Sequence, residues 1–146
     1  MRPKFLILVV DDDLLLMEIL IRASRSSFPE ATFVQAYSSS GALTYINNLD
    51  GYGPKIVLLD INLQDMMTGF GLLALLHTHP KARLLPVVMF TISQLLRDIQ
   101  TAYSFGASSF TVKPFTYEEW KTYLSHLRLY WFQTVTLPKV SFHKLN

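Results

Sequence analysis

Phe-Leu-Ile-Leu-Val-Val-Asp-Asp-Asp, residues 5–13, is the stretch that decides the fold of this chain. A short apolar run without polar alternation is typical of a strand buried on both faces, as in a parallel sheet. Three consecutive aspartates end the run. We therefore predict a first strand over Lys4–Val10 whose carboxyl end carries carboxylates.

Three further apolar runs end in the same abrupt way. Lys-Ile-Val-Leu-Leu ends at Asp60, Pro-Val-Val-Met-Phe at Thr91, and Ser-Phe-Thr-Val at Lys113. In an open parallel sheet the carboxyl ends of the strands lie along one edge, and ligands bind there. We expect these polar groups to meet Asp11 and Asp12 in one crevice.

Helix-period segments separate the strands, so that strand and helix alternate along the chain. The first helix is predicted over Leu14–Phe28 with Asp13 as its N-cap, and the last opens with the capping box Thr116-Tyr-Glu-Glu119. This alternation predicts an α/β fold, a (βα)5 doubly wound parallel sheet covered by helices on both sides. The other predicted strands are Ala31–Ala36, Ile56–Leu59, Pro86–Phe90 and Ser109–Val112, and the other predicted helices are Ser40–Leu49, Gly69–His77 and Gln94–Phe105.

Length and composition indicate one ordinary domain over residues 1–146, with a core at about residues 4–130 and a tail at 131–146. The chain has no cysteine, which excludes disulfides and thiolate metal sites. A dispersed net charge of +2 argues against nucleic acid binding. No apolar run approaches the roughly 18 residues of a membrane span, so we expect no membrane association and a cytoplasmic location.

Adjacent aspartates repel one another, and a bound cation is a simple way to relieve that repulsion. Mg²⁺ prefers oxygen ligands and takes one or two carboxylates together with substrate oxygens and water. Asp11 or Asp12 with Asp60 can supply such a pair, while Lys113 and Thr91 suit the oxygens of a phosphoryl group. Asp60 is also a candidate nucleophile, because carboxylates form acyl phosphates in some phosphoryl transfers.

Four pieces of the sequence now carry a family resemblance. Val-Val-Asp-Asp-Asp, Ile-Val-Leu-Leu-Asp-Ile-Asn, Val-Val-Met-Phe-Thr and Ser-Ser-Phe-Thr-Val-Lys-Pro-Phe, in this order, resemble the receiver domain of two-component response regulators over roughly residues 4–130. The resemblance implies a flavodoxin-like sheet with strand order 2-1-3-4-5. It also implies that Asp60 is the phosphoacceptor and that a sensor histidine kinase donates the phosphoryl group.

The same resemblance assigns roles to the remaining site residues. Asp12 would bind Mg²⁺ directly together with Asp60, Asp11 would assist through water, and Asn62 would offer its backbone carbonyl to the metal. Thr91 and Lys113 would hold the phosphoryl oxygens.

The resemblance also implies a switch. Phe110 matches the aromatic residue that turns inward when Thr91 moves toward the phosphoryl group, and Lys113-Pro114 matches a cis peptide bond. Two features depart from the family pattern. Ile92 stands where a small residue is usual, and we expect its side chain to narrow access to the phosphoacceptor. The loop over residues 61–69 lacks the common proline.

The C-terminal tail is apolar on more than one face. Leu129 and Phe132 need cover, either from residues 135–138 folding back or from another chain. The Tyr130-Trp131 pair with a nearby Leu-Pro is similar to stand-alone receivers of the phytochrome-associated type. That resemblance implies a homodimer.

Together these features indicate a single-domain response regulator that signals through protein contacts to a downstream protein and catalyses only its own phosphorylation and dephosphorylation. The alternative is a phosphorylation-independent pseudo-receiver that acts as an adaptor. A phosphatase of the haloacid dehalogenase type is disfavoured, because no Asp-x-Asp-x-Thr follows the first strand.

Overall fold

The computed structural model describes residues 4–143, and they contain a five-stranded parallel sheet in the order β2-β1-β3-β4-β5. This confirms the predicted flavodoxin-like fold and strand order. The strands are β1 Phe5–Val10, β2 Ala31–Ala36, β3 Ile56–Leu59, β4 Val87–Thr91 and β5 Ser109–Val112, and the helices are α1 Leu16–Ser27, α2 Ser39–Asn47, α3 Gly69–Thr78, α4 Leu96–Ser104 and α5 Tyr117–Leu127.

The central strands are the apolar runs that the sequence displays without alternation. Every residue of β3 and β4 is buried, whereas β2 and β5, at the two edges, are mostly half-buried. Helices α1 and α5 cover one face of the sheet, with Leu20 and Leu124 in its core, and α2, α3 and α4 cover the other, with Ile46 and Leu72 there. Burial on both faces explains why these strands read as continuous apolar runs.

The bounds of β2, β3 and β5 are as predicted, the other predicted bounds differ by at most two residues, and one predicted cap is wrong. Helix α1 begins at Leu16 with Leu15 at the N-cap position and no side-chain cap. The carboxylate of Asp13 instead accepts a hydrogen bond from the Leu15 amide at 2.9 Å. Aspartate readily forms such a turn with the backbone two residues on. Thr116 does cap α5, where its hydroxyl accepts from the Glu119 amide at 3.1 Å.

The C-terminal tail folds back onto the domain. Helix α5 continues as a π-helical segment, Arg128–Thr134, where Phe132 packs edge-on against Phe5 with ring centroids 5.8 Å apart. Leu137 packs onto the same apolar cluster. Residues 135–138 thus provide part of the cover that the sequence required, and Leu129 remains 57% exposed.

Further along, the tail reaches the opposite face of the sheet. Phe142 is fully buried in the core beneath α2 and α3. Its backbone exchanges two hydrogen bonds with Gly51, of 2.6 and 2.9 Å. Its ring lies where a Cβ on Gly53 would be, 2.4 Å away, so a larger residue at position 53 would displace it.

The predicted domain of residues 1–146 extends beyond the described residues at both ends, by residues 1–3 and 144–146. Within residues 4–143, no helix is long and apolar enough to cross a membrane.

Candidate functional site

The carboxyl ends of β1 and β3 bring three carboxylates together. Ligand oxygens of Asp11, Asp12 and Asp60 all lie within 4.8 Å of one another. Asp11 is 1% exposed and Asp60 is 7% exposed, while Asp12 is half-buried. The crevice predicted from the strand ends is therefore present, and it concentrates negative charge in a place with little water.

One lysine compensates that charge. Lys113, just past the end of β5, places Nζ 2.6 Å from Asp11 Oδ2 and 3.0 Å from Asp60 Oδ2. Its side chain is 15% exposed, so both ion pairs are largely shielded from water. The Phe90 ring lies on another side of the ammonium, with its centroid 5.8 Å from Nζ. The lysine thus bridges two of the three carboxylates.

Burial and the ion pairs move two pKa values in this cluster. Burial raises the pKa of the Asp11 carboxyl above its usual range, although the Lys113 ammonium and the Asp13 amide oppose that rise. Burial by itself would lower the pKa of Lys113, but Asp11 and Asp60 outweigh it and raise that pKa. Lys113 therefore stays charged at neutral pH, while ionised Asp11 is only partly compensated.

The residues fit a hard divalent cation. Among the described residues no donor makes a well-directed hydrogen bond to the buried Asp11 Oδ2, and only the nearby Lys113 ammonium compensates it as an ion pair. Three converging carboxylates form the oxygen-rich ligand set that Mg²⁺ prefers. A metal ion would relieve the same repulsion that the ion pairs relieve in part.

Thr91 is the last residue of β4, at the same edge of the sheet as the carboxylates, and is fully buried. Its hydroxyl oxygen accepts a long hydrogen bond, 3.4 Å, from the amide of Ser93. Ser93 in turn donates its hydroxyl to Asp98 Oδ2 at 2.5 Å, in the first turn of α4. Ile92, which lies between Thr91 and Ser93 in sequence, is 71% exposed.

The loop after Asp60 is held close to the site although it lacks the common proline. The Asn62 amide donates to Asp60 Oδ1 at 3.3 Å, and the Gly69 amide donates to the Ile61 carbonyl at 2.9 Å. A Cβ on Gly69 would lie 2.0 Å from the Asp60 carbonyl oxygen, so only glycine allows this close approach. The side chain of Ser39 also donates to the Met67 carbonyl at 3.0 Å.

Two expectations near β5 have different outcomes. Phe110 is half-buried against the core, and its amide donates to the Tyr103 hydroxyl of α4 at 3.2 Å. Its role as a switch stays a prediction. The expected cis bond is wrong, since the Lys113-Pro114 peptide, like every other bond in the described residues, is trans. Proline lowers the preference for trans to about 0.5–1 kcal/mol without abolishing it, so the motif alone did not require cis.

Two residues of the site were not singled out from the sequence. Gln35, near the end of β2, donates its side-chain amide to the carbonyls of Asp11 and Asp13 at 2.7 and 2.9 Å. The backbone amide of Gln64 donates to Asp12 Oδ2 at 3.2 Å. Like the predicted site residues, Gln35 is a polar residue near the carboxyl end of a strand. It is not the last residue of that strand, because β2 continues to Ala36.

Known proteins are similar to this chain in sequence and in fold. A family model for the response regulator receiver domain matches residues 7–125. The probable methanogenesis regulatory protein FilR2 of Methanothrix harundinacea is 28% identical over 130 residues, which is 87% of this chain and 83% of FilR2.

Phytochrome-associated response regulators are also similar, as the tail motif predicted. Response regulator Rcp1 of Synechocystis is 25% identical over 143 residues, 93% of this chain and 94% of Rcp1, and one solved structure of Rcp1 is its Mn²⁺-bound form. The solved structure of the phosphorylated cyanobacterial phytochrome response regulator RcpA has a TM-score of 0.82, 22% identity, and coverage of 93% of this chain and 99% of RcpA. With the receiver model spanning most of the fold and its acidic site, this chain belongs to the response regulator receiver domain family of two-component systems.

Proposed function

We propose that this receiver accepts a phosphoryl group from a sensor histidine kinase on Asp60, with Mg²⁺ bound beside it, and signals through protein contacts. The observation that carries the proposal is the bridge of Lys113 to Asp11 and Asp60, at 2.6 and 3.0 Å, in a cluster of three carboxylates. Receiver domains are in general signalling modules, so the only chemistry proposed here is that of the chain's own acyl phosphate. Rcp1 with Mn²⁺ and phosphorylated RcpA are similar proteins in which a divalent metal and a phosphoryl group have been found.

In this proposal Asp12 and Asp60 bind the metal directly, Asp11 assists, and the Asn62 backbone carbonyl is a further ligand. When bound, Mg²⁺ would neutralise charge on the phosphoryl oxygens. The carboxylate of Asp60 attacks phosphorus, so that a new O–P bond forms as the P–N bond to the kinase histidine breaks. Lys113 stays protonated and follows the phosphoryl oxygens, because electrostatic stabilisation is most of what such a transfer requires.

Thr91 would then exchange one partner for another. Its hydroxyl now accepts from the Ser93 amide through a long contact of 3.4 Å, which is a weak bond to give up. A phosphoryl group brings nearly two negative charges and strong acceptor oxygens, to which the same hydroxyl can donate. Movement of Thr91 and the loop after it would alter the start of α4. It would also allow Phe110 to turn inward, and the α4–β5–α5 face would be the output surface.

Mass measurement of the intact chain tests the proposal directly. Acetyl phosphate with Mg²⁺ should add one phosphoryl group to the wild type, while Asp60→Asn should take up none. Asp50→Asn removes an exposed carboxylate away from the site and should be labelled like the wild type. A wild-type chain that neither gains mass nor binds beryllofluoride would contradict the proposal and favour the phosphorylation-independent adaptor.

The partner kinase is the finer question. RcpA is a phytochrome response regulator, so a phytochrome-type histidine kinase is the first donor to test.

Two apolar residues of the π-helical segment leave more than half of their surface exposed. They are Leu129, at 57%, and Tyr130, at 53%. We include in the proposal a homodimer that covers these two side chains.

A further inference from the structure

The loop that carries the metal ligands requires a restraint of its own. Asp11, Asp12 and Asp13 are adjacent, and two of them converge on Asp60 within 4.8 Å. Like charges at this distance favour any backbone motion that separates them. A ligand set for Mg²⁺ needs near-ideal octahedral geometry, so a loop free to spread would bind the ion less well.

Gln35 meets this requirement from the neighbouring strand. One side-chain nitrogen, Nε2, donates to the carbonyl of Asp11 at 2.7 Å and to the carbonyl of Asp13 at 2.9 Å. The first carbonyl belongs to the peptide between Asp11 and Asp12 and the second to the peptide that follows Asp13, so one amide group holds the loop before and after Asp12. No other side chain among the described residues has a hydrogen bond to both ends of the loop.

The chemistry of glutamine is suited to this position. A lysine or arginine would also donate, but it would add a positive charge beside the carboxylates and compete with a metal cation. A glutamate would offer no donor and would repel the carbonyl oxygens. A neutral amide supplies both donors and leaves the charge of the site unchanged.

A second observation separates this role from ordinary stabilisation. The other side-chain atom of Gln35, Oε1, is buried and has no hydrogen-bond partner among the described residues. A buried acceptor left unsatisfied is unfavourable, which offsets part of what the two donated bonds contribute. We therefore expect Gln35 to contribute little net stability, while its effect on the loop is specific.

We infer that Gln35 is a positioning residue for the metal site. It holds the Asp11–Asp13 loop through the backbone carbonyls of Asp11 and Asp13, the residues on either side of Asp12. The inference rests on the proposed function, because it concerns the Mg²⁺ that the proposal places there. It adds a residue outside the set that contacts the metal or the phosphoryl group.

Calorimetric titration with Mg²⁺ alone tests the inference. Gln35→Met keeps the length of the side chain and removes both donors, and Kd for Mg²⁺ should rise by about tenfold, the lower end of what outer-shell partners of metal sites contribute. Gln100→Met, at an exposed position of α4, is the matched control and should bind like the wild type. The melting temperature of Gln35→Met without Mg²⁺ should stay near that of the wild type, whereas a purely structural role would lower it and leave Kd unchanged.

Gln35→Glu provides a second, independent sign. If Gln35 only lies near the site, an added negative charge should tighten Mg²⁺ binding. If it positions the loop, the carboxylate repels the two carbonyls and binding should weaken despite its charge. Tighter binding by Gln35→Glu, or an unchanged Kd in Gln35→Met, overturns the inference while the proposed function stands. A wild type that binds no Mg²⁺ and gains no phosphoryl group overturns both.

Discussion

At the carboxyl edge of the sheet the chain buries Asp11 and Asp60 around Lys113, whereas at the amino edge it packs Phe5 and Phe132 and inserts Phe142. Buried ion pairs contribute little net stability, because desolvation offsets most of their attraction. Buried aromatic rings contribute strongly, since each removes a large apolar surface from water. The contrast teaches that stability and chemistry occupy opposite ends of the same strands.

A consequence is that variants at the two edges should fail in different ways. Changes at the amino edge should lower the free energy of unfolding and leave the chemistry of the folded molecules intact. Changes at the carboxyl edge should alter metal binding and phosphorylation with little loss of stability, or even a gain.

The largest expected effect is at Phe142. Phe142→Ala removes a fully buried ring from the core, and replacing a buried phenylalanine by alanine typically lowers the free energy of unfolding by about 3–5 kcal/mol. Urea denaturation measures the loss. Phe115→Ala, at a side chain that is 93% exposed, is the matched control and should change it little. A loss no larger than that of the control would show that the tail does not belong to the core.

The next effect has the opposite sign and lies at Asp11. Its folded-state pKa is raised by burial, so the folded chain binds this proton more tightly than the unfolded chain does. For such an acid the free energy of unfolding falls as the pH rises from the ordinary aspartate pKa of 3.8 through the raised pKa of the folded state. Asp11→Asn removes this penalty, so in metal-free buffer it should be more stable than the wild type at neutral pH and lose that advantage below pH 3.8.

Denaturation curves at several pH values, with a chelator present, provide the measurement. Asp50→Asn, at an exposed carboxylate, should track the wild type at every pH. Added Mg²⁺ should stabilise the wild type more than Asp11→Asn, because a ligand stabilises the state that binds it. A variant that is less stable than the wild type at neutral pH would show that Asp11 contributes net stability through Lys113.

The two edges also differ in how well their sequence predicted them. The predicted site residues at the carboxyl edge each follow an apolar run, and the geometry of a parallel sheet is enough to bring such positions together. They are Asp11, Asp12, Asp60, Thr91 and Lys113. The gathering of the carboxylates was therefore predictable from the residues themselves, whereas the strand order was implied only by the family resemblance. The burial of the strands, visible as unbroken apolar runs, provided the signal.

Side-chain and tail contacts were harder to predict, because they depend on groups distant in sequence. Gln35 donates to carbonyls more than twenty residues away, at positions 11 and 13. Every residue has a backbone carbonyl, so the sequence does not indicate which carbonyls accept these bonds. Phe142 lies in a polar stretch, and its ring occupies space that a Cβ on residue 53 would fill. Asp13 was predicted to cap α1, yet its carboxylate accepts a hydrogen bond from the Leu15 amide in the turn that precedes the helix. Aspartate is common in both positions, so the residue type alone does not distinguish them.

A smaller effect is expected where the amino edge meets solvent. Leu129 is 57% exposed beside Tyr130, so Leu129→Arg should halve the molecular mass in light scattering if these side chains form the proposed dimer interface. Deleting the tail would be a poor test, because it would also remove Phe142 from the core. Leu84→Arg, at another exposed leucine (46%), should keep the wild-type mass. A monomeric wild type, or a dimeric Leu129→Arg, would contradict the proposed interface.

The smallest effect concerns Ile92, which adjoins the buried Thr91 but is itself 71% exposed. Because Ile92 directly follows Thr91, we expect its exposed side chain to hinder approach to the site without changing the groups that react. Ile92→Ala should therefore accelerate both labelling by acetyl phosphate and loss of the phosphoryl group by less than about tenfold, that is by under about 1.4 kcal/mol of barrier. Ile21→Ala, on an exposed part of α1, should leave both rates unchanged. Because access alone would change, labelling and hydrolysis should accelerate together with no change in Mg²⁺ affinity. A change in only one rate would place Ile92 among the residues that act on the phosphoryl group itself and would extend the chemical edge beyond its buried carboxylates.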